Sequence, residues 1–96
     1  MIIQDYSTKI EYQVWAVYYV NNETYFLCSD DIAKKLRPIK EANLIVKDGK
    51  LNGEFHYWSP KNGCAGVYHH SIINEEKLGF LIETNDIYSD WLESNK

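Results

Sequence analysis

The chain has 96 residues, 45% hydrophobic and 15% aromatic, with a net charge of −4. That length holds one core and excludes two independent domains, so residues 1–96 read as a single unit; the aromatic load at so small a charge excludes a disordered chain. The longest strongly apolar stretch, Val14 to Val20, is seven residues, against the roughly 20 that a membrane helix needs, and the N-terminus lacks the regions of a secretory signal, so the expectation is a cytoplasmic protein.

From Ile10 to Val20 the pattern begins as alternation, Glu11 and Gln13 against Ile10, Tyr12 and Val14, and becomes apolar on both sides through Trp15, Val17 and Tyr19. This predicts a strand running from the rim of a sheet into its covered middle. Asn21-Asn22 tolerates positive φ and predicts a tight turn into a second strand, Thr24 to Cys28. Ser29, Asp30, Asp31 and Ile32 then read as a helix start, a hydroxyl cap followed by acids at the positive end of the macrodipole. With Ile32 and Leu36 on one face and Pro38 as the stop, the expectation is a short helix after the first hairpin.

Residues 43–47 and 51–59 are strand-like and flank Asp48-Gly49, the strongest hairpin signal in the chain. A two-residue loop there would oppose Lys47 and Lys50, so a longer one stays open. After the turn cluster Ser59 to Gly63, Ala65 to Ile73 reads as a further strand. Leu78 to Glu83 reads as a sixth strand weakened by Gly79, while Asn74 to Lys77 equally fits a helix cap. Thr84 or Asn85 caps a final helix whose stripe of Ile87, Tyr88, Trp91 and Leu92 faces inward, with Asp86, Asp90 and Glu93 on the other side. The sum is an α+β domain: an antiparallel sheet of five or six strands with a C-terminal amphipathic helix packed on it.

Little in the chain points to catalysis. Cys28 and Cys64 are 36 positions apart with no CxxC, which argues for buried, reduced side chains. The five glycines form no phosphate-binding pattern, and no cofactor is expected. A Cys64 nucleophile with His69 or His70 as its base has no orienting third residue and no oxyanion motif beside it, so no catalytic residue is assigned. If Pro60 to Gly63 is a four-residue loop, Glu54 opposes His69, and Glu54, His56, Trp58 and His69 share one face while Phe55, Tyr57, Tyr68 and His70 share the other. Two imidazoles and a carboxylate are metal-ligand types. Without a compact motif such as HExxH they read as half-exposed strand residues, and no metal is expected.

Charge is uneven: Lys34, Lys35, Arg37, Lys40, Lys47 and Lys50 lie in the middle of the chain, and Glu75, Glu76, Glu83, Asp86, Asp90 and Glu93 near its end. Eight tyrosines and three tryptophans exceed what so small a core hides, and both types are enriched at interface hot spots. The expectation is a non-catalytic protein-binding module, an inhibitor, immunity protein or antitoxin-like neutraliser of a basic toxin or enzyme. Its contact residues would be Trp58, His56, Glu54, His69, Asp86, Asp90 and Glu93. Two alternatives stand beside it: a small metal-assisted hydrolase or nuclease using His56, His69 and Glu54, and a single-strand nucleic-acid binder using Lys47, Lys50 and Trp58, which the acidic balance disfavours. No membrane partner is expected, and a homodimer stays open.

Overall fold

The computed structural model describes all residues except 43, 52, 62, 84, 85 and 96. In chain order the strands are β1 (Ile2–Asp5), β2 (Glu11–Val20), β3 (Glu23–Asp30), β4 (Lys35–Lys40), β5 (Leu44–Asp48), β6 (Phe55–Trp58) and β7 (Gly66–His69). A 3-10 turn, His70–Ile72, and two helices, α1 (Glu75–Glu83) and α2 (Tyr88–Ser94), complete the chain. The sheet runs β4-β3-β2-β1-β5, with β7 also paired to β2 and β6 to β7, every described pairing being antiparallel. The α+β class is as the sequence predicts; the strands number seven rather than five or six, because β1, whose apolar pattern is too short to register, and β4, where a helix is expected, are added, while residues 78–83 are helical.

Strand β2 organises the sheet. One of its edges is paired to β3 from Val14 to Val20, while the other is divided, Glu11 to Gln13 pairing with β1 and Ala16 to Tyr18 with β7. At the division the register on β3 slips, Val14 facing Cys28 and Ala16 facing Leu27, so that Trp15 is the extra residue of a β-bulge. The bulge sends Trp15 and Ala16, neighbours in sequence, into one core with Leu27, Leu36, Tyr68, Ile72, Leu81, Tyr88 and Trp91. Val14 joins a second core with Ile3, Phe26 and Cys28, flanked by Leu44 of β5. Both sides of β2 and β3 are thereby covered, which is why their sequences are apolar on both faces. The first hairpin closes as predicted, with Asn21 at φ 51° and Asn22 at φ 66°, the positive pair that a type I′ turn requires.

Two expectations are corrected and one open choice is decided. Residues 29–36 form no helix. Asp30 Oδ1 does accept the N–H groups of Ile32 and Ala33, each at 3.0 Å, as a helix cap would. Lys34 then enters the left-handed region at φ 59° and donates its N–H to the Asp30 carbonyl at 2.8 Å. The chain reverses after one turn and returns as β4, Lys35 opposite Asp30. Ile32, assigned to an inward face, is 91% exposed, and Pro38 is tolerated because β4 is an edge strand. Second, Asp48-Gly49 does not close a hairpin. No described glycine has positive φ, and Asp48 Oδ1 instead accepts the Lys50 N–H at 3.0 Å. β5 pairs with β1 and β6 with β7, so the two segments flanking this turn never meet as partners. Between the two readings left open for residues 74–83, the capped helix holds and the strand does not: Asn74 Oδ1 accepts the Lys77 N–H at 2.9 Å, and Glu75 and Glu76 occupy the first turn.

The terminal helix docks by its predicted stripe, with Tyr88 and Trp91 buried and Ile87 and Leu92 partly so; the caps assigned to Thr84 or Asn85 lie outside the described residues. No described helix is long and apolar enough to cross a membrane.

Two glycines should respond oppositely to alanine. A Cβ on Gly66 would lie 2.3 Å from the Val17 carbonyl oxygen, so Gly66→Ala forces β7 away from β2 at a cost of about 2 kcal/mol or more. Gly79, within α1, has nothing within 4 Å of that position, and Gly79→Ala should stabilise by about 0.5 to 1 kcal/mol. Urea unfolding of both variants reads the contrast.

Candidate functional site

The division of β2 leaves a break in the sheet. The last β1 pairing is Ile2 with Gln13, the first β7 pairing is Tyr68 with Ala16, and Val14 N–H donates to the Met1 carbonyl at 3.0 Å. A cleft of about 480 Å³ opens at this break, walled by Trp15, Glu54, Phe55, His69, His70 and the end of α2. Bulges commonly sit beside such openings because they end one pairing and re-aim a side chain.

His69 ends β7 and is 5% exposed. Its ring meets Trp15 edge-on at 4.8 Å and Phe55 edge-on at 5.4 Å. Ser71 N–H donates to His69 Nδ1 at 3.2 Å, and Ser71 Oγ lies 2.7 Å from the same nitrogen. A backbone N–H can only donate, so Nδ1 is the acceptor and the proton of the neutral ring sits on Nε2. That Nε2–H donates to Glu54 Oε2 at 2.9 Å. Ser71 Oγ also accepts the Trp91 indole N–H at 3.1 Å, tying α2 to the 3-10 turn, β7 and the residue before β6. Burial pushes the His69 pKa below its ordinary 6.5, outweighing the Glu54 hydrogen bond that pulls it up.

His70 would point away from His69 on a continuing strand. The 3-10 turn that starts at His70 brings the two rings to 4.6 Å instead. Its N–H donates to the Glu54 carbonyl at 2.8 Å, and its Nε2 lies 3.9 Å from Glu54 Oε1. The Glu54 carboxylate therefore faces both imidazoles, and one ligand atom from each of Glu54, His69 and His70 falls within 4.8 Å of the others. Ser71 stands behind His69 and contributes nothing to the cleft wall, which makes it an orienting group rather than a nucleophile. Trp15 Nε1 is buried without a hydrogen-bond partner among the described residues.

The β6–β7 register differs from the assumed one by a residue. Phe55 opposes His69, His56 opposes Tyr68 and Trp58 opposes Gly66, so that the pairing stops at Trp58 and Gly66, short of the assumed Ser59 and Cys64, and the Tyr68 O–H donates to the Cys64 carbonyl at 2.6 Å. His56 and Trp58 consequently share the face of Tyr68 rather than that of His69, and the trio His56, His69 and Glu54 is not assembled. Trp58 is half-buried, edge-on to Tyr68 at 5.2 Å, instead of exposed. Glu54 and His69 do meet, at the end of the strands, and His70 takes the place expected of His56. Cys64 lines a separate cleft with Tyr18, Tyr68 and α1. Asp86, Asp90 and Glu93 are exposed in the helical part of the chain. The one sequence signal for the missed residues was the polar run His69-His70-Ser71 closing an apolar strand.

The depressed His69 pKa makes stability depend on pH. Between its ordinary value of about 6.5 and its lower folded value, the unfolded chain takes up a proton that the folded chain resists, so this group's contribution is complete above about pH 7 and is lost as pH falls. The urea midpoint should therefore drop from pH 7.5 to 5.5, and His69→Gln should remove that part of the slope. Comparison with family models, with curated proteins and with solved structures gives no match to this chain.

Proposed function

We propose that the protein works by binding another protein of basic character, as an inhibitor, immunity protein or antitoxin-like neutraliser does, and that it does so without catalysis. The observation that supports this reading is how charge divides along the fold. From residue 74 to residue 95, the stretch that forms both helices, there are six acids, Glu75, Glu76, Glu83, Asp86, Asp90 and Glu93, against Lys77 alone. The rest of the chain holds eight acids and nine bases. The whole negative balance of the molecule thus belongs to its helical part, where Asp86, Asp90 and Glu93 are exposed.

A field of one sign over one side of a small protein steers an oppositely charged partner into an oriented encounter and rejects like-charged ones. Aromatic surface adds to the reading, with Tyr6, Tyr19 and Tyr57 all more than half exposed, since tyrosine contributes contact area at a small entropic cost. Cys28 and Cys64 are free thiols, which suits a reducing, cytoplasmic setting.

A variant carrying Asp86→Asn, Asp90→Asn and Glu93→Gln tests the proposal at nearly constant side-chain size. Immobilised wild-type protein should retain one or a few basic proteins from native lysate at low salt and lose them as salt rises. The variant should associate with the same proteins about tenfold more slowly. An unchanged set of bound proteins, retained by the variant at equal rate and insensitive to salt, removes the reading.

A further inference from the structure

We propose that Glu54, His69 and His70 form a binding site for one divalent transition-metal ion of the zinc class, with its fourth position open to the cleft. The hydrogen bond from neutral His69 to the half-exposed Glu54 carboxylate accounts for those two residues alone. It gives no reason for a second imidazole to be turned by the 3-10 turn onto the same carboxylate, and a cation shared by all three does.

The dimensions suit such an ion. Zinc holds imidazole nitrogen and carboxylate oxygen at about 2.0–2.2 Å in tetrahedral array, which sets the ligand atoms roughly 3.4 Å from one another. Two of the observed separations straddle this value, 2.9 Å from Glu54 Oε2 to His69 Nε2 and 3.9 Å from Glu54 Oε1 to His70 Nε2, and the three ligand atoms together lie within 4.8 Å, wider than the bound state. His70, whose side chain is 53% exposed, closes the remainder by turning toward the carboxylate. His69 needs no movement, being fixed between Trp15 and Phe55. Imidazole and carboxylate without thiolate favour zinc and its neighbours over soft-metal or calcium chemistry. Three protein ligands with a cleft at the fourth position make an open site, not a closed structural one.

Metal ligation would exchange the His69 tautomer. The Nε2 lone pair must face the ion, so the ring proton moves through solvent to Nδ1, where Ser71 Oγ at 2.7 Å accepts it. Ser71 turns its own hydroxyl proton aside, still accepts the Trp91 indole N–H, and gives up the longer 3.2 Å bond from its backbone N–H. Oxygen acceptors of this kind orient the histidine ligands of metal sites.

Zinc titration of untagged protein by calorimetry at pH 7.5, paired with nitrogen-15 NMR of the histidine rings, tests the site. The expected result is saturation at one equivalent, with the His69 proton moving from Nε2 to Nδ1. His70→Ala and Glu54→Gln, checked for unchanged folding by circular dichroism, should each weaken binding by about tenfold or more, while His56→Ala, on the other face, leaves it unchanged. Absence of saturable binding at about 1 mM zinc, equal affinity in His70→Ala, or a His69 tautomer that does not change on saturation overturns the proposal.

Discussion

Each residue of a strand edge can hydrogen-bond to one neighbour only, and β2 is longer than any partner on its divided edge. Much of the molecule follows from how it changes partners. Up to Gln13 it is held by β1, and from Ala16 onward by β7. The bulge at Trp15 absorbs the mismatch and puts two consecutive side chains into the same core. The larger of them, Trp15, is the surface against which Trp91 packs edge-on at 4.7 Å and His69 at 4.8 Å. The terminal helix and the end of β7 are thus anchored to the point where the sheet is interrupted, and the cleft lies there for the same reason.

Polar groups around that point are tied in series. The Trp91 indole donates to Ser71, Ser71 meets His69, and His69 donates to Glu54. Each such bond contributes on the order of 1 kcal/mol net. Their greater importance is directional, because donors and acceptors tied in series orient one another. The network joins three segments far apart in sequence, at residues 54, 69–71 and 91, and fixes the ring of His69, its tautomer and the side from which Glu54 approaches.

What was legible in the sequence is what is decided locally. Asn21-Asn22 specifies its turn by backbone conformation alone, and the stripe of Ile87, Tyr88, Trp91 and Leu92 specifies the buried face of α2. At Asp30 the local signal was ambiguous in a physical sense: a carboxylate accepting two successive N–H groups begins a helix and an Asx turn alike. The left-handed residue at Lys34 decides between them. The pairing of β5 with β1 is non-local, and no turn residue announces it. In the site, Glu54 and His69 were both singled out, but the register rested on a loop length. A register shifted by one residue puts His56 and Trp58 on the other face, while His70 joined through a 3-10 turn that alternation along a strand does not anticipate.

Pro38 has a consequence for how the molecule meets copies of itself. A strand at the end of a sheet is a template on which another chain can extend the ladder, and proteins limit that risk with proline and charge. β4 ends one side of the sheet and carries both, Pro38 without an N–H to offer and Lys35, Arg37 and Lys40 around it. Growth of an extended sheet through this side is therefore interrupted at its middle residues, and among the described strands β5 and β6 are the other ends of the pairing.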